Sequence, residues 1–147
     1  MKQTINKNIS LKPLTSTDLE KADFRNLLGE IAKLDINDRI FFVQQIGGLL
    51  FPLPDKPADP ARYYTNSVRD FWNGIVLYHL AHDITDFSKI VTAILIHDPF
   101  YWIMISIYGE TEEIKPFLNS YYHKNPIETA CIYRKLCDFV KLLLENT

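Results

Sequence analysis

Apolar residues recur at steps of three and four through most of this chain, the period of helices with one face turned inward, and no stretch keeps the strict alternation of a strand. Thr17-Asp18-Leu19-Glu20 has the spacing of a capping box, and Phe24, Leu27, Ile31 and Leu34 follow as an apolar stripe of about three turns. Asn37-Asp38 marks the next start, with Ile36, Ile40, Val43, Gly47 and Leu50 in phase. Gly47-Gly48 either lets a neighbouring helix come close or unwinds the helix end. The run from Phe51 to Pro60 has four prolines in ten residues and cannot be helical, because proline lacks the N–H and crowds the preceding turn. A long helix is predicted from about Asp59-Pro60, a cap followed by a first-turn proline, to about His82. Its stripe of Ala61, Tyr64, Val68, Phe71, Ile75 and Tyr78, widened by Trp72, Val76, Leu77 and Leu80, predicts a central, mostly buried helix anchored by Trp72.

Thr85 or Asp86 caps a helix running to about Ile96, and Asp98-Pro99 repeats the cap-plus-proline signal for one ending at Gly109. Thr111 to Tyr122 is expected to form one further helix with Pro116 in or near its first turn. Asn125-Pro126 opens the last, with Ala130, Tyr133, Cys137, Val140 and Leu144 on one seam and Ile132, Leu136, Phe139 and Leu143 on its neighbour. The expectation is all-α: a compact bundle of about seven helices forming a single domain over residues 15–147. Residues 1–14, where Lys2, Lys7 and Lys12 stand without an acid, form a basic arm or linker.

The 147 residues, with net charge −2, 47% apolar and 23% charged side chains, fit one soluble domain of ordinary size. A chain of this length buries roughly 68–70% of its unfolded surface and needs neither disulfide nor metal to fold. Cys131 and Cys137 lie six apart in a helix, facing different sides, so a mutual bridge is not expected and a reducing, cytoplasmic setting is. Both are placed on apolar seams as inert thiols. Near-balanced charge lacks the basic footprint of a DNA-gripping domain. Ile90 to Ile107 has about the length of a membrane span, but His97, Asp98 and Pro99 sit at its middle, where a charge costs roughly 2.5–3.5 kcal/mol; two buried helices are expected instead, with no direct membrane insertion. No secretory-signal pattern opens the chain.

Catalytic equipment is sparse. The five glycines, at 29, 47, 48, 74 and 109, never approach a phosphate-cradling loop. His79 and His82 share a helix face, with Asp83 and Asp86 after them, the residue types of a small metal site. A helix C-terminus followed by the cap of the next helix explains them more simply. Glu112 and Glu113 suit a helix start rather than acid–base work. There is no Gly-x-Ser-x-Gly turn, and pairing His123 with Cys131 or Cys137 would require thiols assigned to the core. The chain is therefore expected to be no enzyme and to carry no metal or cofactor. Binding is better represented. Arg62, Tyr63 and Tyr64 follow the proline loop, and Tyr121-Tyr122-His123-Lys124 precedes the last helix; aromatics beside cations stack on single-stranded bases or anchor a protein partner. Arg62, Tyr63, Tyr121 and Lys124 are the candidate partner-binding residues, while Tyr64 also belongs to the core stripe.

The segment Asn66-Ser-Val-Arg-Asp-Phe-Trp-Asn-Gly-Ile-Val-Leu-Tyr78, entered through a proline- and acid-containing loop, resembles the all-α domain of type IV coupling proteins, the hexameric motor ATPases of conjugation and type IV secretion. Ile40 to Pro54 and Asp86 to Ile96 are similar, more loosely, to the helices on either side. The resemblance implies a non-enzymatic helical domain, cytoplasmic, belonging to an inner-membrane-anchored parent. Such a domain recognises a relaxase, a nucleoprotein or an effector for transfer. The motor's phosphate loop has no counterpart here, so the chain is expected to be an excised or free-standing helical domain, monomeric by itself although the parent is a hexamer. The matching residues Val68, Phe71, Trp72, Gly74, Leu77 and Tyr78 are mostly those assigned to packing, and Arg69 is expected to pair with an acid instead of a substrate. Two alternatives stand beside this expectation. One is a single-strand DNA binder using the lysine arm with Lys124, Arg134, Lys135 and Lys141, whose affinity would fall steeply with salt. The other is an unrelated helical adaptor or small helical enzyme.

Overall fold

Residues 24–145 are described by a computed structural model of the chain; the arm at 1–14 and the capping box at Thr17 to Glu20 lie outside them. The elements are α1 (Phe24–Ala32), α2 (Ile36–Leu50), α3 (Ala61–Ala81), α4 (Phe87–Ile96), α5 (Pro99–Tyr108), α6 (Lys115–Leu118) between two 3-10 turns (Glu112–Ile114 and Asn119–His123), and α7 (Pro126–Glu145). The described residues thus form the expected all-α domain of seven helices, with no strand among them.

Short polar side chains start the helices by accepting otherwise free backbone N–H groups. Asp86 accepts from Ser88, Asp98 from Tyr101, and Asn125 from Ile127 and Glu128. Asp59 accepts from Ala61 at 2.9 Å just before α3. For α2 the cap is Asp35, which accepts from the Asp38 N–H, so the helix starts at Ile36, ahead of the expected Asn37-Asp38 signal.

The centre of the fold is α3, whose seven consecutive residues Phe71 to Leu77 are all buried. Trp72 is 1% exposed. Two glycines let neighbours approach this helix. A Cβ on Gly47 of α2 would lie 2.9 Å from Trp72 Cδ1 and 2.9 Å from Asn73 Oδ1, so Gly47 serves close helix contact rather than unwinding. A Cβ on Gly74 would lie 3.1 Å from Leu118 Cγ and 3.2 Å from Ile114 Cγ1, which packs the α6 segment onto α3.

That segment departs from the single helix expected over Thr111 to Tyr122. Pro116 offers no N–H to continue the first 3-10 turn as an α-helix, and α6 lasts four residues. Its side chains are committed elsewhere: Asn119 Oδ1 accepts from the Ser106 hydroxyl, and Lys115 Nζ donates to the carbonyls of Ser106 (2.6 Å) and Gly109 (3.0 Å), closing the C-terminal end of α5. The apolar stretch around His97-Asp98-Pro99 is broken as predicted. α4 and α5 meet at 106°, and no single described helix is long and apolar enough to cross a membrane. One hydroxyl ties three helices at this corner: Tyr133 of α7 accepts from Trp102 Nε1 of α5 at 2.7 Å and donates to the Ile94 carbonyl of α4 at 2.6 Å.

Of the two cysteines placed on apolar seams, Cys137 packs against the core, while the placing of Cys131 is corrected here. α7 turns Ile132, Tyr133, Leu136 and Val140 inward, which leaves Cys131 exposed and Cys137 half-buried. Burial pushes the Cys137 thiol above its ordinary pKa.

Candidate partner-binding site

The first turns of α3 and α7 come side by side, and three of the four candidate residues gather there. Tyr63 donates its hydroxyl proton to Glu128 Oε1 at 2.7 Å, joining the two helices. Tyr121, in the second 3-10 turn, donates to Asp70 Oδ2 at 2.7 Å. Lys124 Nζ lies 4.6 Å from the Tyr121 ring centroid and 5.5 Å from that of Tyr63, so one ammonium is shared between two π-faces. Tyr63 stands edge-on to Tyr64, their centroids 5.3 Å apart.

Exposure divides these residues by role. Tyr63 is 42% exposed and can be covered by a partner, whereas Tyr121 is 2% exposed and acts from beneath, presenting its face to Lys124. Burial raises the Asp70 carboxyl above its ordinary pKa, partly offset by the Tyr121 hydrogen bond and the Lys124 charge. Tyr63 is raised as well, first because its proton is held by Glu128 and then by desolvation. Tyr121 is raised by burial, with Asp70 adding to the effect. The result is an aromatic surface with a fixed ammonium and two fixed carboxylates.

Arg62 stands apart from this cluster. Its guanidinium donates to the Pro54 carbonyl at 2.5 Å, pinning the proline loop to α3. Two turns on, Arg69 is turned to the backbone rather than to an acid: its Nε donates to the Phe51 carbonyl at 2.8 Å and its Nη2 to that of Gly48 at 3.1 Å, satisfying carbonyls at the C-terminal end of α2. Asp70 and Glu128, which orient the two tyrosines, escape sequence reasoning because their partners lie 51 and 65 residues away. Glu128 carries one weak signal, its place in the first turn after Asn125-Pro126.

The histidines on α3 turn to the backbone. His79 Nδ1 lies 2.8 Å from the Ile75 carbonyl and His82 Nδ1 2.8 Å from that of Tyr78, and no group of three potential ligands occurs among the described residues. Comparison of the chain with protein-family models, with curated proteins and with solved structures finds no match.

Proposed function

We propose that this chain is a non-enzymatic recognition domain of a type IV coupling protein, which presents a rigid helical surface to a relaxase, nucleoprotein or effector while the parent motor supplies the pulling. The observation that carries the reading is the 66 to 78 segment: its family-like residues Val68, Phe71, Trp72, Gly74 and Leu77 are the ones around which this domain packs. A motif whose residues set the fold is expected to travel with the fold. Within the proposal, the recognition surface is the exposed Tyr63 ring with Lys124. Tyr121 and Asp70 support it from below, and Arg62 supports the neighbouring loop. A protein partner suits this surface better than DNA, because the exposed Tyr63 hydroxyl is tied to the Glu128 carboxylate where a phosphate backbone would have to pass.

The test is a binding titration of the chain against the purified relaxase and effectors of the transfer system encoded with it, using Tyr63→Ala combined with Lys124→Ala. Saturable binding that the double variant loses at an unchanged melting temperature supports the reading. Equal binding by both proteins, or none by either, refutes it.

A further inference from the structure

A second surface lies between the proline loop, α3 and α7. It is a groove of about 280 Å³, lined by Leu50, Phe51, Tyr64, Val68 and Phe139, with Lys135 at the rim. Its floor is a ring pair, Phe51 against Phe139 with centroids 4.6 Å apart. Its wall is fixed by two clamps, because Arg69 holds the Phe51 carbonyl and Arg62 holds that of Pro54. A concave apolar site whose walls are already set has little ordering cost to meet on binding.

The rim supplies one charge. Lys135 Nζ rests 5.1 Å from the Tyr64 ring centroid. Its side chain is exposed, and among the described residues no carboxylate lies within ion-pair distance of it. The contact with Tyr64 orients the ammonium without using its hydrogen-bonding capacity. An apolar slot with one oriented cation beside it is complementary to a large apolar group next to an anion. The groove is open to solvent, so a chain can enter and leave while only one side chain is covered; a flexible acyl tail laid there would stay partly wet.

We propose that this groove binds an extended segment of a partner protein in which a large apolar side chain is followed by an acidic one. The apolar side chain enters among Leu50, Val68 and Phe139, and the carboxylate meets Lys135. The inference rests on the groove and its cation, and holds whichever system the domain serves.

Fluorescence anisotropy of the full chain with a labelled Gly-Ser-Leu-Phe-Glu-Ser-Gly amide tests it, alongside the same peptide with Gln in place of Glu. The two peptides are crossed with wild type and Lys135→Gln in a double-mutant cycle. The Glu peptide is expected to bind wild type about two- to fivefold more tightly than the Gln peptide, as a solvent-exposed ion pair allows, and that ratio should collapse towards one in Lys135→Gln. Ala61→Phe, placed at the exposed groove edge, should weaken both peptides, while helical dichroism and melting temperature report that each variant is folded. Equal affinity for the two peptides, a ratio that survives Lys135→Gln, no binding of either peptide, or binding of decanoate without binding of the peptides would each overturn the proposal.

Discussion

The hydroxyl of Tyr133 is one oxygen that serves three helices, and Tyr133→Phe removes it while keeping the ring. The variant takes an acceptor from Trp102 Nε1 and a donor from the Ile94 carbonyl. Trp102 is 1% exposed, so water cannot replace the lost partner, and an orphaned buried donor costs about 1–3 kcal/mol. The Ile94 carbonyl fares better, because Cys137 Sγ remains at 3.9 Å as a weak donor; its share is about 0.5–1 kcal/mol. The expected loss is about 1.5–4 kcal/mol, a large part of a total stability of about 5–15 kcal/mol. At about 3 °C per kcal/mol for a chain of this size, the melting temperature should fall by roughly 5–12 °C. Urea unfolding followed by dichroism measures this as a lower midpoint at unchanged slope, since the surface exposed on unfolding stays the same. A loss below about 0.5 kcal/mol would mean that the corner is held by ring packing alone and would refute the accounting of the hydroxyl.

Three further outcomes are expected. Arg69→Met, which keeps most of the stem but frees the Phe51 and Gly48 carbonyls, should destabilise by about 2 kcal/mol, measured as a urea midpoint. Burial holds His79 below the ordinary histidine value of 6.5, so the unfolded chain takes up that proton first; stability should fall as pH drops below 6.5, and His79→Phe should flatten this part of the profile in unfolding measurements at pH 7.5 and 5.5. Thiol titration with Ellman's reagent should show one fast cysteine and one slow one, with Cys131→Ser abolishing the fast phase, because Cys131 is exposed while Cys137 is half-buried with a raised pKa.

The helix starts were the most legible part of this chain. Asp86, Asp98 and Asn125 announce themselves through local chemistry, a short acceptor followed by an apolar run, and each caps the helix predicted for it. The central helix was legible for the same reason, since no other stretch carries so wide an apolar stripe. What stayed hidden depends on distant partners. The broken segment around Pro116 follows from Gly74 admitting Ile114 and Leu118, and from Lys115 reaching back to α5. At the site, local composition pointed to Tyr63, Tyr121 and Lys124. It could not separate the exposed ring from the buried one, nor reveal that Arg62 faces the proline loop, because those distinctions belong to how α3 and α7 meet.

The loop between α2 and α3 has one more consequence. Pro52, Pro54, Pro57 and Pro60 restrict the backbone before folding begins, so the disordered chain already samples few conformations there. The two arginines therefore select among a small set of shapes instead of immobilising a floppy strand. Exchanging the prolines for glycine and serine would leave every arginine contact formally available, yet the protein would lose stability through the greater freedom of its denatured ensemble, a loss that no inspection of native contacts would anticipate.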